Sequence, residues 1–131
     1  MLRTILLTFF AGTVALIVDW AIGAAAPRFT QVPQTFPPLT LLPILSGAFG
    51  GAILASIAYS LLKAFAKQPD RTFFFVVAFT LALSFALPLR LSFTRSPRFA
   101  GVTTSAQMVL ILMHTLVATV SGVMLLTKPR P

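Results

Sequence analysis

The sequence contains no cysteine, and acidic residues are nearly as scarce, with two Asp or Glu against ten Lys or Arg in 131 residues. Without cysteine the chain can form no disulfide, no thiolate metal site and no covalently attached c-type haem. Only 9% of the residues are charged, whereas soluble domains have about 25%. Together with a mean hydropathy of +0.95, this composition predicts an integral membrane protein. The apolar segments and their short connections use up the chain, so we expect no separate water-soluble domain.

The same scarcity limits catalysis. Asp19 and Asp70 are the acids and His114 is the one histidine. A catalytic carboxylate pair would need both aspartates, which the predicted topology places on opposite sides of the membrane. One histidine is too few for a metal or bis-histidine haem site unless a second chain supplies the partner. We therefore expect no enzymatic activity and no cofactor.

Four apolar segments are each long enough to cross a bilayer as a helix. They cover residues 4–26, 41–62, 72–91 and 99–127. A basic start and small residues before a proline also describe a secretory signal peptide, but Asp19 interrupts the first apolar stretch and favours a retained span. The sequence thus predicts an all-α fold, a single transmembrane domain over residues 1–131 built as a four-helix bundle with short loops.

The connection between the first two spans is rich in proline. Residues 27–40 contain four, at Pro27, Pro33, Pro37 and Pro38. Because proline fixes φ and removes a backbone donor, this density favours an extended, polyproline-like strap over regular helix. We expect the strap to lie outside the hydrocarbon, on the external side.

The basic residues lie at the ends of the spans. Four spans place both termini on one side, with the cations Arg3, Lys63, Lys67, Arg71, Lys128 and Arg130, against Arg28, Arg90, Arg95 and Arg98 on the other. The positive-inside rule then predicts cytoplasmic N- and C-termini in a bacterial inner membrane. The net charge of +8 is explained by this placement at the lipid headgroups, so we expect no nucleic-acid partner.

Small residues recur every fourth position in the second span, at Gly47, Gly51 and Ala55. Such a stripe lets another backbone approach closely, within the chain or between copies, so the sequence allows a homo-oligomer or a larger membrane complex. The third span carries several phenylalanines, which leave few places for close approach. We expect it at the rim of the bundle with rings facing lipid.

Two spans carry a polar stripe. The first has Thr8, Gly12, Ala15, Asp19 and Gly23 at helical spacing, and the fourth has Thr103, Gln107, His114 and Ser121. An ionisable group in mid-bilayer costs about 2.5 to 3.5 kcal/mol on insertion scales, so these side chains should face protein and are the functional candidates.

Two pairings of Asp19 are open. An Asp19–His114 couple would suit a proton relay, but at about 1.5 Å rise per residue Asp19 lies on the order of 7 Å outward of its helix centre while His114 is near its own. Arg90 matches the depth of Asp19 better and favours a structural pair that locks the bundle. For His114 the simplest expectation is an interhelical hydrogen bond to Gln107, a threonine or backbone.

Several stretches resemble a known family. They are LIVDWAIGAAAP, PPLTLLPILSGAFGGAIL, LSFALPLRLS and TTSAQMVLILMHTLVAT. The chain resembles the bacterial four-span membrane proteins grouped as domain-of-unknown-function family 6069, whose closing helix carries a Met-His pair after a Thr-rich entry, matched here by Met113 and His114. Asp19 departs from the apolar or amide residue expected before Trp20. The resemblance implies an architecture and no activity.

The sequence supports two functional hypotheses from different classes. The first is a non-catalytic structural or accessory subunit that docks its glycine face or Phe-rich rim on partners. The alternative is a small homo-oligomeric transporter in which Asp19 exchanges protons for a cationic substrate and His114 lines the path. Lipid or quinone binding between the helices is a third hypothesis that rests only on apolar surface.

Overall fold

The described part of the chain is built from helices. A computed structural model describes residues 2–32, 36–90, 93 and 102–127. Its helices are α1 (Leu2–Phe29), α2 (Leu41–Phe65), α3 (Pro69–Ser84), α4 (Ala86–Arg90) and α5 (Thr104–Leu126), with a 3-10 turn at Pro37–Leu39. Counting α3 and α4 as one, these are four helices long and apolar enough to cross a membrane. The predicted all-α, four-span architecture is confirmed.

The helices form an antiparallel bundle in which α1 packs most extensively on α2 and α5. Both ends of the described chain meet, since a guanidinium nitrogen of Arg3 donates to the Thr127 carbonyl at 2.7 Å. We call this the terminal end of the bundle, and it also holds the short turn between α2 and α3. The opposite end, which carries residues 30–32 and 36–40, is the strap end.

The α1–α2 seam is the most extensive contact between two helices in the bundle, and we define it by the buried Ala11 and Ala15 of α1 and Ala48 and Ala52 of α2. All four are at most 1% exposed. The hydroxyls of Thr8 and Ser56 hydrogen-bond across the seam toward the terminal end. Alanine side chains at four-residue spacing let two backbones approach closely, which is how helices gain contact where lipid offers no hydrophobic drive.

The strap differs from the prediction. Helix α1 continues through Pro27 to Phe29, beyond the predicted end at residue 26. The predicted extended conformation is present at Phe36 and Thr40, on either side of the 3-10 turn. Val32 and Phe36 are buried and pack with Ala106, Val109 and Leu110 of α5, so these strap residues close the strap end of the core. Residues 33–35 lie outside the described part.

The third and fourth spans also shift from their predicted bounds. Helix α3 begins at Pro69, which suits a first-turn position because its missing N–H would be unpaired there anyway. The helix breaks at Phe85, because Pro88 cannot donate to the carbonyl of Ser84. Helix α5 begins at Thr104, capped by the Thr103 hydroxyl, which accepts from the Ala106 N–H at 3.2 Å. The predicted start at residue 99 is wrong in that residues 102 and 103 are not helical.

Helix α3 lies at the rim, as its bulk predicted. Phe74, Phe75 and Phe79 are exposed, and Phe73 alone on this helix is buried, with its ring 4.9 Å from the Tyr59 ring of α2. The Tyr59 hydroxyl donates to Oδ1 of Asp70 at 2.8 Å. These contacts hold α2 and α3 together at the terminal end.

Candidate functional site

A cavity of about 490 Å³ lies between α2, α3 and α5. Its size is typical of a small-molecule site, and most of its lining is apolar. The polar side chains on its wall come from three helices: Asp19 of α1, Thr80 and Ser84 of α3, and His114 and Ser121 of α5.

The cavity exists because the small face of α2 meets no matching face on α3. Gly47, Gly51 and Ala55 line it, and a Cβ added to Gly47 would have nothing within 4 Å. Within the chain no neighbour approaches Gly47 closely, and an approach between copies stays a prediction. At Gly51 the side chain of Val117 on α5 is close, since an added Cβ would lie 2.6 Å from its Cγ1.

Asp19 reaches the cavity from α1 and is 3% exposed. Its Oδ1 atom is buried and has no hydrogen-bond partner among the described residues. A Cβ on Gly23 would meet Ile44, and one on Gly12 would meet Phe49, so Asp19 lies between these two levels of α2, within about two turns of the strap end. The polar stripe of the first span therefore correctly predicted that Asp19 faces protein.

Arg90 is exposed on α4, and it does not line the cavity. Since Oδ1 of Asp19 has no hydrogen-bond partner among the described residues, that oxygen accepts no hydrogen bond from the guanidinium. The Asp19–Arg90 pair stays a prediction.

His114 lines the same cavity, on the wall formed by α5. Its Nδ1 lies 2.7 Å from the Leu110 carbonyl oxygen. Because a carbonyl can only accept, Nδ1–H is the donor, and in the neutral ring Nε2 is left as an acceptor. The partner of Nδ1 is thus backbone one turn earlier on the same helix, whereas the sequence analysis expected a partner of His114 on another helix.

Asp19 and His114 lie at neighbouring levels of α2. Val117 stands opposite Gly51, and α5 runs parallel to α2, so His114 falls near the level of Ala48. Asp19 falls between Ile44 and Phe49 by the contacts of α1. Asp19 from α1 and His114 from α5 therefore line the same cavity at levels of α2 that are about one turn apart or less.

Ser121 is a second buried polar group without a partner. It is 3% exposed, lines the cavity toward the terminal end, and its Oγ has no hydrogen-bond partner in the described residues. Gln107, from the same sequence stripe, is buried but lies away from the cavity. The stripe on α5 therefore divides between the cavity and the strap-end core.

Thr80 and Ser84 were missed by the sequence analysis. They lie four residues apart on α3 and both line the cavity. Hydroxyls at this spacing in an otherwise Phe-rich helix were the available signal, because positions four apart share one helix face.

The arrangement can bind an apolar molecule that carries one donor or cationic group. An ionised carboxylate in an apolar wall is costly unless a charge or donors compensate it, and Asp19 offers an unpaired oxygen for that purpose. In the described part of the chain, no group of three or more His, Cys, Asp or Glu is placed to hold a metal ion. The geometry at Asp19 supports binding of such a group and proton exchange at this acid.

The chain belongs to a family of unknown function, DUF6069, whose sequence model matches residues 1–130. The resemblance seen in the motifs is thereby confirmed. No curated protein and no solved structure matches the chain. Its role has to be argued from the cavity itself.

Proposed function

We propose that this membrane protein is a small transporter of the bacterial inner membrane that exchanges protons for a lipophilic cation at Asp19. The observation that carries the proposal is the buried Oδ1 of Asp19, which lines a cavity of about 490 Å³ and has no hydrogen-bond partner among the described residues. On this proposal the chain performs no chemical reaction on its substrate.

A carboxylate in that position can be neutralised in two ways. A proton makes the group neutral, and a bound cation compensates its charge, but the two exclude one another because each occupies the same acid. Binding of the cation therefore releases the proton, and protonation releases the cation. This competition is the minimum that an exchange carrier needs.

The orientation follows from charge. In the described part of the chain, the terminal end holds Arg3, Lys63, Lys67 and Arg71, and the strap end holds Arg28 and Arg90. The larger basic set favours the cytoplasm for the terminal end. The proposal includes assembly of several copies of the chain through their exposed apolar helix faces.

Proton release tests the exchange. Purified protein in weakly buffered detergent should release protons when dodecylammonium or dodecyltrimethylammonium chloride is added, and Asp19→Asn should release none. Asp70→Asn is the matched control, since Asp70 is the other acid and bonds Tyr59 away from the cavity. Release from neither cation, or equal release from Asp19→Asn, contradicts the proposal.

Transport is tested in proteoliposomes that carry a pH gradient. The same cations should collapse the gradient faster than in protein-free vesicles, and Asp19→Asn should remove the excess rate. Subtracting the protein-free rate accounts for passive crossing of the neutral amine. Wild-type rates equal to those of empty vesicles would show binding without carriage.

A second candidate, the accessory subunit, is favoured by the packing of α3. Only Phe73 of this helix is buried, and Phe74 and Phe79 present large rings outward. Purification from native membranes in mild detergent should then recover other chains in fixed ratio, lost on Phe74→Ala with Phe79→Ala and kept in Leu6→Ala, an exposed position of α1. A chain that always purifies alone argues against this role.

A further inference from the structure

We propose, resting on the function above, that the ligand is a single-chain primary alkylammonium that enters the cavity sideways from the bilayer, between α2 and α3. The inference combines three features of the cavity: where it opens, where its polar atoms lie along its length, and which hydrogen-bonding roles those atoms leave unfilled.

The cavity opens between α2 and α3. Gly47 and Leu54 of α2 and Thr80 of α3 line it and are exposed, Leu54 at 68%, whereas Phe73 and Ser121 on its inner walls are buried. We call the gap between Gly47, Leu54 and Thr80 the cavity mouth. The outer surfaces of α2 and α3 are apolar helix faces that meet lipid, so the mouth opens onto hydrocarbon and not onto water.

The polar end of the cavity lies where an amphiphile would need it. Asp19 and His114 stand near the level of Ile44 to Phe49, close to the strap end. From Gly47 to Ala58, which both line the cavity, α2 rises about 16 Å toward the terminal end. A head group at Asp19 would therefore leave its chain lying parallel to the neighbouring acyl chains.

The head group decides the binding. A hydrocarbon chain gains little on moving from lipid into an apolar cavity, because lipid tails are as apolar as leucine. What the cavity adds is the unpaired Oδ1 of Asp19, together with a histidine whose Nδ1 is already engaged. Both offer acceptors. A primary ammonium has three N–H donors for them, and a quaternary ammonium has none.

Binding in nanodiscs tests the ligand class. Dodecylammonium should bind wild-type protein about tenfold or more tightly than dodecyltrimethylammonium, as expected for one hydrogen bond to a charged group, and dodecanol should bind weakest. Asp19→Asn should abolish the preference, and His114→Phe should reduce it several-fold. Equal binding of the two cations by wild-type protein overturns the inference without relying on any variant.

A glycine pair tests the route of entry. Gly47→Leu should slow association of membrane-dissolved dodecylammonium by about tenfold, because it places a side chain in the mouth. Gly50→Leu is the matched control: a Cβ there also meets nothing within 4 Å, but Gly50 does not line the cavity. Unchanged association in Gly47→Leu with wild-type melting behaviour overturns lateral entry.

The two proposals fail separately. Proton release by both cations with no preference between them contradicts the ligand class and leaves exchange at Asp19 standing. Absence of proton release with either cation contradicts exchange itself.

Discussion

Helix α2 carries two neighbouring stripes of small residues, and they have opposite fates. Ala48, Ala52 and Ser56 form one side of the α1–α2 seam, where no space remains. Gly47, Gly51 and Ala55, one position away, line an open cavity. The two stripes have similar composition and the same spacing, so the residues of α2 alone do not explain the difference.

The partner helix explains it. α1 presents Ala11, Gly12 and Ala15, whose small side chains let the seam close. α3 presents Phe73, Val76 and Val77 to the cavity, and such bulky side chains keep the backbones apart. A small-residue stripe therefore marks where a close approach is permitted, and the facing helix determines whether it occurs.

The largest loss of stability is expected when a bulkier side chain is introduced into the α1–α2 seam. Ala52→Leu places three extra carbons in a contact that is 1% exposed, and we expect a loss of about 1 to 3 kcal/mol in unfolding free energy. Ala55→Leu, on the cavity side of the same helix, should cost far less because its side chain has room. Unfolding by SDS titration in mixed micelles measures both, and equal losses would show that the two faces are packed alike.

The spans and the stripes were predictable, because both depend on periodicity within one segment. The choice of partner was not, because it depends on the register between segments. Because α1 runs to Phe29 and α5 starts at Thr104, the midpoints of these helices differ from those of the predicted spans. Asp19 and His114 line one cavity, but Oδ1 of Asp19 has no hydrogen-bond partner among the described residues, so the structure shows no hydrogen bond between that atom and His114.

The observed helix ends coincide with local sequence signals. Pro69 followed by Asp70 is a typical helix start, and Thr103 is a typical N-cap. Pro88 marked the break at Phe85. The cavity itself had no such signal, since it arises from an absence of fit between two helices.

A smaller effect, with opposite signs, is expected from alanine at two glycines. In Gly51→Ala the new Cβ would lie 2.6 Å from Cγ1 of Val117. Valine has one strongly preferred rotamer in a helix and cannot easily turn away, so we expect a loss of about 1 kcal/mol or more.

Gly47→Ala is the matched change, since nothing lies within 4 Å of its Cβ. It should gain up to about 1 kcal/mol from helix propensity. The same SDS titration gives both values. A loss at Gly47 would mean that the cavity closes in the membrane.

The smallest loss of stability is expected at the contact between Tyr59 of α2 and the residues of α3 beside the cavity. Tyr59→Phe keeps the ring beside Phe73 at 4.9 Å but removes the hydroxyl that donates to Asp70 at 2.8 Å. We expect a loss of about 0.5 kcal/mol in unfolding free energy, near the low end for a hydrogen bond, because water can replace the lost partner at the end of the bundle.

Spin labels can measure the width of the cavity between α2 and α3. The native chain has no cysteine, so labels on Leu54→Cys and Val76→Cys report this width without background. Tyr59→Phe should broaden that distance distribution slightly, and Tyr59→Leu, which also removes the ring, should broaden it more. Identical distance distributions in all three proteins would mean that the short turn between α2 and α3 alone sets the width of the cavity. The spacing of α2 and α3 would then be fixed by chain connectivity, whereas the spacing of α1 and α2 is fixed by packing in the seam.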